Sequence, residues 1–198
     1  MQRFKGWVVK LGGSLARAPE LTTWLRLLAT TEVPCVVVPG GGPFTDATRD
    51  TQQHWGFDDP SAHRMAILGM TQFGLMLHAL EPRLEVATSL PALQSRLERT
   101  RATLWLPSLD DVALMDGLPA DWTVSADSIA LWLAGRIAAD QLALIKAVPA
   151  ENFGDRVQDL AAAVVDPFFP QLHARIGCRL AIFGRHEVDG FSSMLRQA

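Results

Sequence analysis

Lysine is the scarcest charged residue in this chain: Lys5, Lys10 and Lys146 stand against fifteen arginines among 198 residues. Surface charge has been given to arginine, so a lysine closing an apolar run calls for a specific reason, and two of the three are placed that way. Cysteine is nearly absent. Cys35, inside an apolar run, and Cys178 form neither a disulfide framework nor a metal spacing, and read as reduced thiols in a cytoplasm. With no block of like charge and a net charge of -3, the chain lacks the electrostatic footprint of a nucleic-acid binder. No run approaches the ~18 apolar residues that span a bilayer, and residues 1–5 lead into the first strand without the apolar core of a signal peptide. What remains, at 48% hydrophobic and 20% charged residues, is one soluble domain over 1–198 with a sizeable core and a small-molecule partner.

The first motif is Trp7-Val8-Val9-Lys10-Leu11-Gly12-Gly13-Ser14. A β-branched run ends near a lysine, then two glycines and a serine open a helix. Adjacent glycines let the backbone turn sharply beside a bulky anion, and helix-opening amides point positive partial charge at it. Lys10 would project its ammonium toward the same place. The lysine precedes the glycines, which excludes a Walker A loop. A plain strand-to-helix turn accounts for this motif about as well when it is taken alone.

The helical spacing of Leu21, Trp24, Leu25 and Leu28 and the apolar run 33–38 complete a β-α-β unit, hence a parallel pair with a right-handed crossover. The second strand runs into Pro39-Gly40-Gly41-Gly42-Pro43, a second point of close backbone approach at a strand's carboxyl end. Residues 45–55 read as helix, on which Arg49 can reach back toward an anionic substrate. Ser61 offers a cap for a long helix over 61–80, apolar around much of its circumference and so expected to bury one side in the core and the other in a subunit interface. His54, His63 and His78 have no metal spacing and read as surface or core residues. Strands are expected at 84–87 and 102–106 and a helix at 91–99. Residues 107–119 read as loop, with Asp110-Asp111 solvated. In 121–130, Ser125 caps a helix and Asp127 lies in its first turn, where a carboxylate favours the helix dipole. The strand 141–148 carries Lys146 near its end. A lysine there costs desolvation unless an anion meets it, making it a second candidate phosphate ligand. A loop over 149–154, a helix over 156–163, a turn at Asp166-Pro167, a further helix to residue 176, a strand over 179–183 and a short final helix complete the reading.

Taken in order, Val8 to Ser14, Val37 to Gly42 and Ser125 to Ala130 resemble the amino acid kinase superfamily. The resemblance covers about two-thirds of the chain. It implies an α/β fold, an open, mainly parallel sheet sandwiched between helices, and phosphoryl transfer from ATP, with Mg2+, to an acidic acceptor across the strand ends. By the same resemblance Lys10 stabilises the transferring phosphoryl group, and Gly12, Gly13 and Ser14 hold ATP phosphates. Gly40, Gly41 and Gly42 bind acceptor or phosphate, and Asp127 orients the lysine; Ser125, beside Asp127, is a further candidate for substrate binding. Many members carry an aspartate where Lys146 stands and a second catalytic lysine further on. No lysine follows position 146 here, so Lys146 itself is the candidate second clamp.

Within the superfamily, residues 61–70, 125–134 and 144–148 look most like the aminomethylfuran phosphate kinases of methanofuran biosynthesis, which convert (5-(aminomethyl)furan-3-yl)methyl phosphate to its diphosphate. An acceptor phosphate needs a cation, for which Arg49 is the candidate. The alternatives are a carboxylate, isopentenyl phosphate or uridylate acceptor, or a non-catalytic nucleotide-binding or storage protein on the same fold. A homo-oligomer through 61–80 is expected in either case, with magnesium carried by the nucleotide rather than by a protein ligand set.

Overall fold

The computed structural model describes residues 3–97, 99, 101–147 and 164–197. Six parallel strands form one sheet in the order β3-β4-β2-β1-β5-β6. They are β1 (Trp7–Leu11), β2 (Cys35–Pro39), β3 (Glu85–Ala87), β4 (Ala102–Trp105), β5 (Gln141–Lys146) and β6 (Arg179–Gly184). The central strands β1 and β2 are buried at every position, as their unbroken apolar runs require in a sheet covered on both faces. The expected open parallel sheet sandwiched by helices is therefore what the chain forms.

Alternation along the strands assigns the two faces. Val8, Val36, Val38, Leu142 and Leu144 pack into one core with α6 (Ala126–Arg136), α4 (Leu90–Gln94) and α7 (Phe169–Ile176). Trp7, Val9, Leu11, Val37 and Ile145 face α1 (Leu21–Thr30) and α8 (Val188–Leu195). The long helix α3 (Asp59–Leu80) belongs to both cores: Ile67 and Met70 enter the first, Phe73 and Leu77 the second. Its Met65, Leu68, Leu75 and Leu80 remain exposed.

Several boundaries differ from the sequence expectation for local reasons. Helix α2 (Gly42–Trp55) starts three residues earlier than expected, inside the glycine run. Asp58, not Ser61, caps α3; its Oδ1 accepts from the Ser61 amide at 2.7 Å. Helix α4 stops at Gln94, where the Ser95 hydroxyl turns back onto the Ala92 carbonyl. Residues 107–119 hold a short helix, α5 (Leu109–Val112), closed by a capping box between Ser108 and Asp111. Asp111 is thus not solvated. It is 1% exposed, and its carboxylate accepts from the Leu90 and Ser108 amides, tying this turn to the start of α4. The expected loop 149–154 and helix 156–163 lie outside the described residues.

Candidate active site

Lys10 and Lys146 belong to the same alternation classes as Val8 and Leu144, so both point to the face covered by α6. Lys10 pairs in register with Leu144 on the neighbouring strand. Asp127, in the first turn of α6, lies between the two lysines. Lys10 Nζ stands 2.8 Å from its Oδ1, and Lys146 Nζ donates to its Oδ2. All three side chains are buried, at 7%, 4% and 13% exposure for Lys10, Asp127 and Lys146. Buried charge persists only when paired, and here two cations share one anion, leaving an excess of one positive charge. Burial would raise the Asp127 carboxyl, but the ammonium groups of Lys10 and Lys146 outweigh it and hold it below the ordinary range. Burial, reinforced by the charge of Lys10, pushes Lys146 down to about 8 against the pull of Asp127.

The two glycine loops pack backbone against backbone beside this cluster. A Cβ on Gly13 would stand 2.1 Å from the Gly42 nitrogen, and one on Gly40 2.3 Å from the Gly13 nitrogen. Gly42 also has φ of 56°. These glycines are therefore required for the loops to meet at all, before any ligand is considered. The Gly40 amide donates to the Leu11 carbonyl and the Gly12 amide to the Ile145 carbonyl, so the ends of β1, β2 and β5 are held together. From this junction a 3₁₀ turn (Gly13–Arg17) and α2 depart, and neither N-terminus carries a side-chain cap.

The N-terminus of α6 is the opposite case. The Ser125 hydroxyl accepts from the Asp127 amide and donates to Asp166. The Asp166 carboxylate also accepts from the Ser125 and Ser128 amides, the Ser128 hydroxyl and the Phe169 amide. Asp166 does sit at a turn, as expected, but it is also the anchor that fixes the helix carrying Asp127. The sequence offered no signal for that, because the Ser125 and Ser128 donors lie 41 and 38 residues away.

A cleft of about 250 Å³ opens over the junction. Lys10, Gly13, Ser14, Gly40, Gly41, Gly42, Arg49 and Ser125 line it, so most of the expected site residues come together; Gly12, Asp127 and Lys146 do not line it. Arg49 reaches the cleft with its guanidinium 4.1 Å from the centre of the Trp122 ring. His63, expected to be an ordinary surface or core residue, is a buried member of the cleft wall. Among the described residues no group of three or more His, Cys, Asp or Glu could hold a metal ion. The donor set instead suits anions: lysine ammonium groups, uncapped helix amides and glycines whose missing Cβ atoms leave room.

The sequence profile of the amino acid kinase family matches residues 5–150. The chain belongs to the amino acid kinase family. It is 25% identical over 128 residues to the [5-(aminomethyl)furan-3-yl]methyl phosphate kinase of Methanocaldococcus jannaschii, a match spanning 64% of this chain and 58% of that relative. Its fold is shared with the crystal structure of uridylate kinase from Archaeoglobus fulgidus (TM-score 0.71, 16% identity, 96% of this chain and 95% of that one). The UMP kinase of Bacillus anthracis has the same fold (TM-score 0.69, 15% identity, 100% and 94%). No described helix is long and apolar enough to cross a membrane.

Proposed function

We propose that the protein transfers the γ-phosphoryl group of ATP to a small metabolite monophosphate, with [5-(aminomethyl)furan-3-yl]methyl phosphate as the preferred acceptor. The observation that carries this reading is the engagement of Asp127. Both of its oxygens are held by lysines, so it is not free to remove a proton. An acceptor at this site must arrive ionised. A phosphate monoester, with its second pKa near 6, does so at neutral pH, whereas a hydroxyl does not.

Phosphoryl transfer needs positioning and charge stabilisation more than covalent chemistry. In this reading Lys10 and Lys146 stabilise charge on the group in flight, and the bare amides opening the 3₁₀ turn and α2 receive phosphate oxygens. Asp127 keeps both ammonium groups in place. An oxygen of the acceptor phosphate bonds to the γ-phosphorus as the bond to the β,γ-bridging oxygen breaks, and ADP leaves. Magnesium would enter on the nucleotide's phosphates and neutralise part of their charge.

The furan acceptor is supported by the similarity to the M. jannaschii kinase and by the cleft itself. Its volume is below the roughly 300–1,000 Å³ of drug-sized sites, and Ile67, Met70, Val124 and Ile129 give it apolar walls for a compact ring. The uridylate kinase folds keep uridylate as the second reading. ADP release measured with the furan phosphate, uridylate, isopentenyl phosphate and N-acetylglutamate decides between them. The furan phosphate should give the highest kcat/KM; activity confined to N-acetylglutamate or uridylate would overturn the assignment. The exposed apolar residues of α3 support a homo-oligomer through 61–80, which sedimentation would test.

A further inference from the structure

The chemistry proposed above leaves part of the cleft wall unused. His63 is 7% exposed and lines that wall, yet it makes no hydrogen bond to any described residue. Its ring nitrogens are not sealed from solvent, so they open onto the cleft within reach of a ligand.

The surroundings define the ligand's sign. Burial lowers the imidazole pKa below its ordinary range, against the pull of the Asp121 carboxylate, so at pH 7 the ring is neutral and one nitrogen accepts a hydrogen bond. Asp121 contributes negative charge beside the ring, and Arg49, which keeps its charge, is held against the Trp122 ring. The rim is also prebuilt. Trp122 Nε1 donates to Gln52 Oε1, and Gln52 Nε2 donates to Asp59 Oδ1 at 2.8 Å and to the Phe57 carbonyl at 3.1 Å. Helix α2, the start of α3 and the loop ahead of α6 are thereby fastened around the opening, and little ordering is left for binding to impose.

We propose that His63, backed by Asp121 and framed by the Trp122–Gln52 latch, binds an amine at the end of the acceptor remote from its phosphate, making the site selective for zwitterionic amino-phosphates. The inference rests on the kinase reading above and adds a substrate feature to it. Uridylate, isopentenyl phosphate and simple alkyl phosphates lack such an ammonium group.

The test pairs a ligand change with a protein change. Kinetics are measured with [5-(aminomethyl)furan-3-yl]methyl phosphate and with its deaminated analogue, (5-methylfuran-3-yl)methyl phosphate, on the wild-type enzyme and on the His63→Phe and His63→Gln variants. Loss of a hydrogen bond to a charged group costs roughly tenfold or more in affinity. Deamination should therefore raise the acceptor KM about tenfold or more in the wild-type enzyme, with the KM for ATP unchanged. His63→Phe should raise the KM for the amine substrate about tenfold or more beyond any change seen with the methyl analogue, and His63→Gln, which retains an acceptor oxygen, should recover part of the loss. Equal KM values for the two substrates in the wild-type enzyme overturn the amine site while leaving the kinase reading intact. Turnover of neither substrate overturns both. Should His63→Phe not fold, the His63 ring resonance of the wild-type protein decides: it should move on saturation with the amine substrate and not with the methyl analogue, and no movement overturns the proposal.

Discussion

Two helix N-termini meet the same cleft and are treated in opposite ways. That of α6 is saturated: Ser125 and Asp166 together satisfy its opening amides, and every residue from Ala126 to Ala134 is buried. That of α2 is bare and begins in glycine. In the proposed reading, the helix that delivers a carboxylate to the two lysines has its end locked, while the helix that would receive phosphate has its end left open.

The largest effect should come from breaking the locked side at its centre. Asp127→Asn leaves two buried ammonium groups without their counter-charge, and removing one partner of a buried ion pair costs about 3–5 kcal/mol; chemical denaturation should show a loss of that size, with activity abolished. Lys10→Ala should act on chemistry more than on folding. It leaves Asp127 its bond to Lys146, and kcat should fall about 10²–10³-fold, the range for deleting one preorganised electrostatic group, while thermal melting changes little. An unchanged kcat with the true acceptor would remove Lys10 from the catalytic machinery.

Asp166→Ala should be milder and of a different kind. It strips the α6 terminus of its acceptor and should lower stability by about 1–3 kcal/mol, or roughly 2–4 °C in Tm per kcal/mol for a chain of this size. Asp127 would lose its fixed position, so kcat should drop while the acceptor KM is largely kept. Both should stay unchanged if the bond network around Asp166 carries no function. The smallest effect is with pH. Lys146, depressed to about 8, is charged below that value and neutral above it. As pH rises through about 8 the cluster loses its excess positive charge, and kcat should decline. Lys146→Arg, which stays charged, should flatten that limb.

Much of the inner site was legible in the sequence. Lysine scarcity singled out Lys10 and Lys146, and Ser125-Ala126-Asp127 declared a capped helix start; that both lysines lie under one face follows only from the register of β1 and β5. The glycine runs were legible too, although their first requirement proved to be the contact between Gly13, Gly40 and Gly42. What escaped the sequence depends on partners distant along the chain. Asp111 serves Leu90, twenty-one positions away, and Asp166 serves Ser125, forty-one away. Their local bonds, the Ser108–Asp111 capping box and the Phe169 amide on Asp166, give no sign of these distant partners. Trp122 and Gln52 are seventy positions apart, and His63 lacks any neighbouring motif, so only the folded cleft assigns them a place. The early start of α2 was hidden because glycine argues against helix by propensity, while here loop packing decides.

The central claim is that a carboxylate occupied by two lysines restricts this kinase to acceptors that arrive ionised. It is tested most directly by measuring ADP release at about pH 7.5, where a phosphate ester is mostly dianionic, with [5-(aminomethyl)furan-3-yl]methyl phosphate and, in parallel, with the corresponding furan alcohol. The account predicts steady turnover of the phosphate and none of the alcohol above the background hydrolysis of ATP. Phosphorylation of the alcohol at a comparable rate would contradict it.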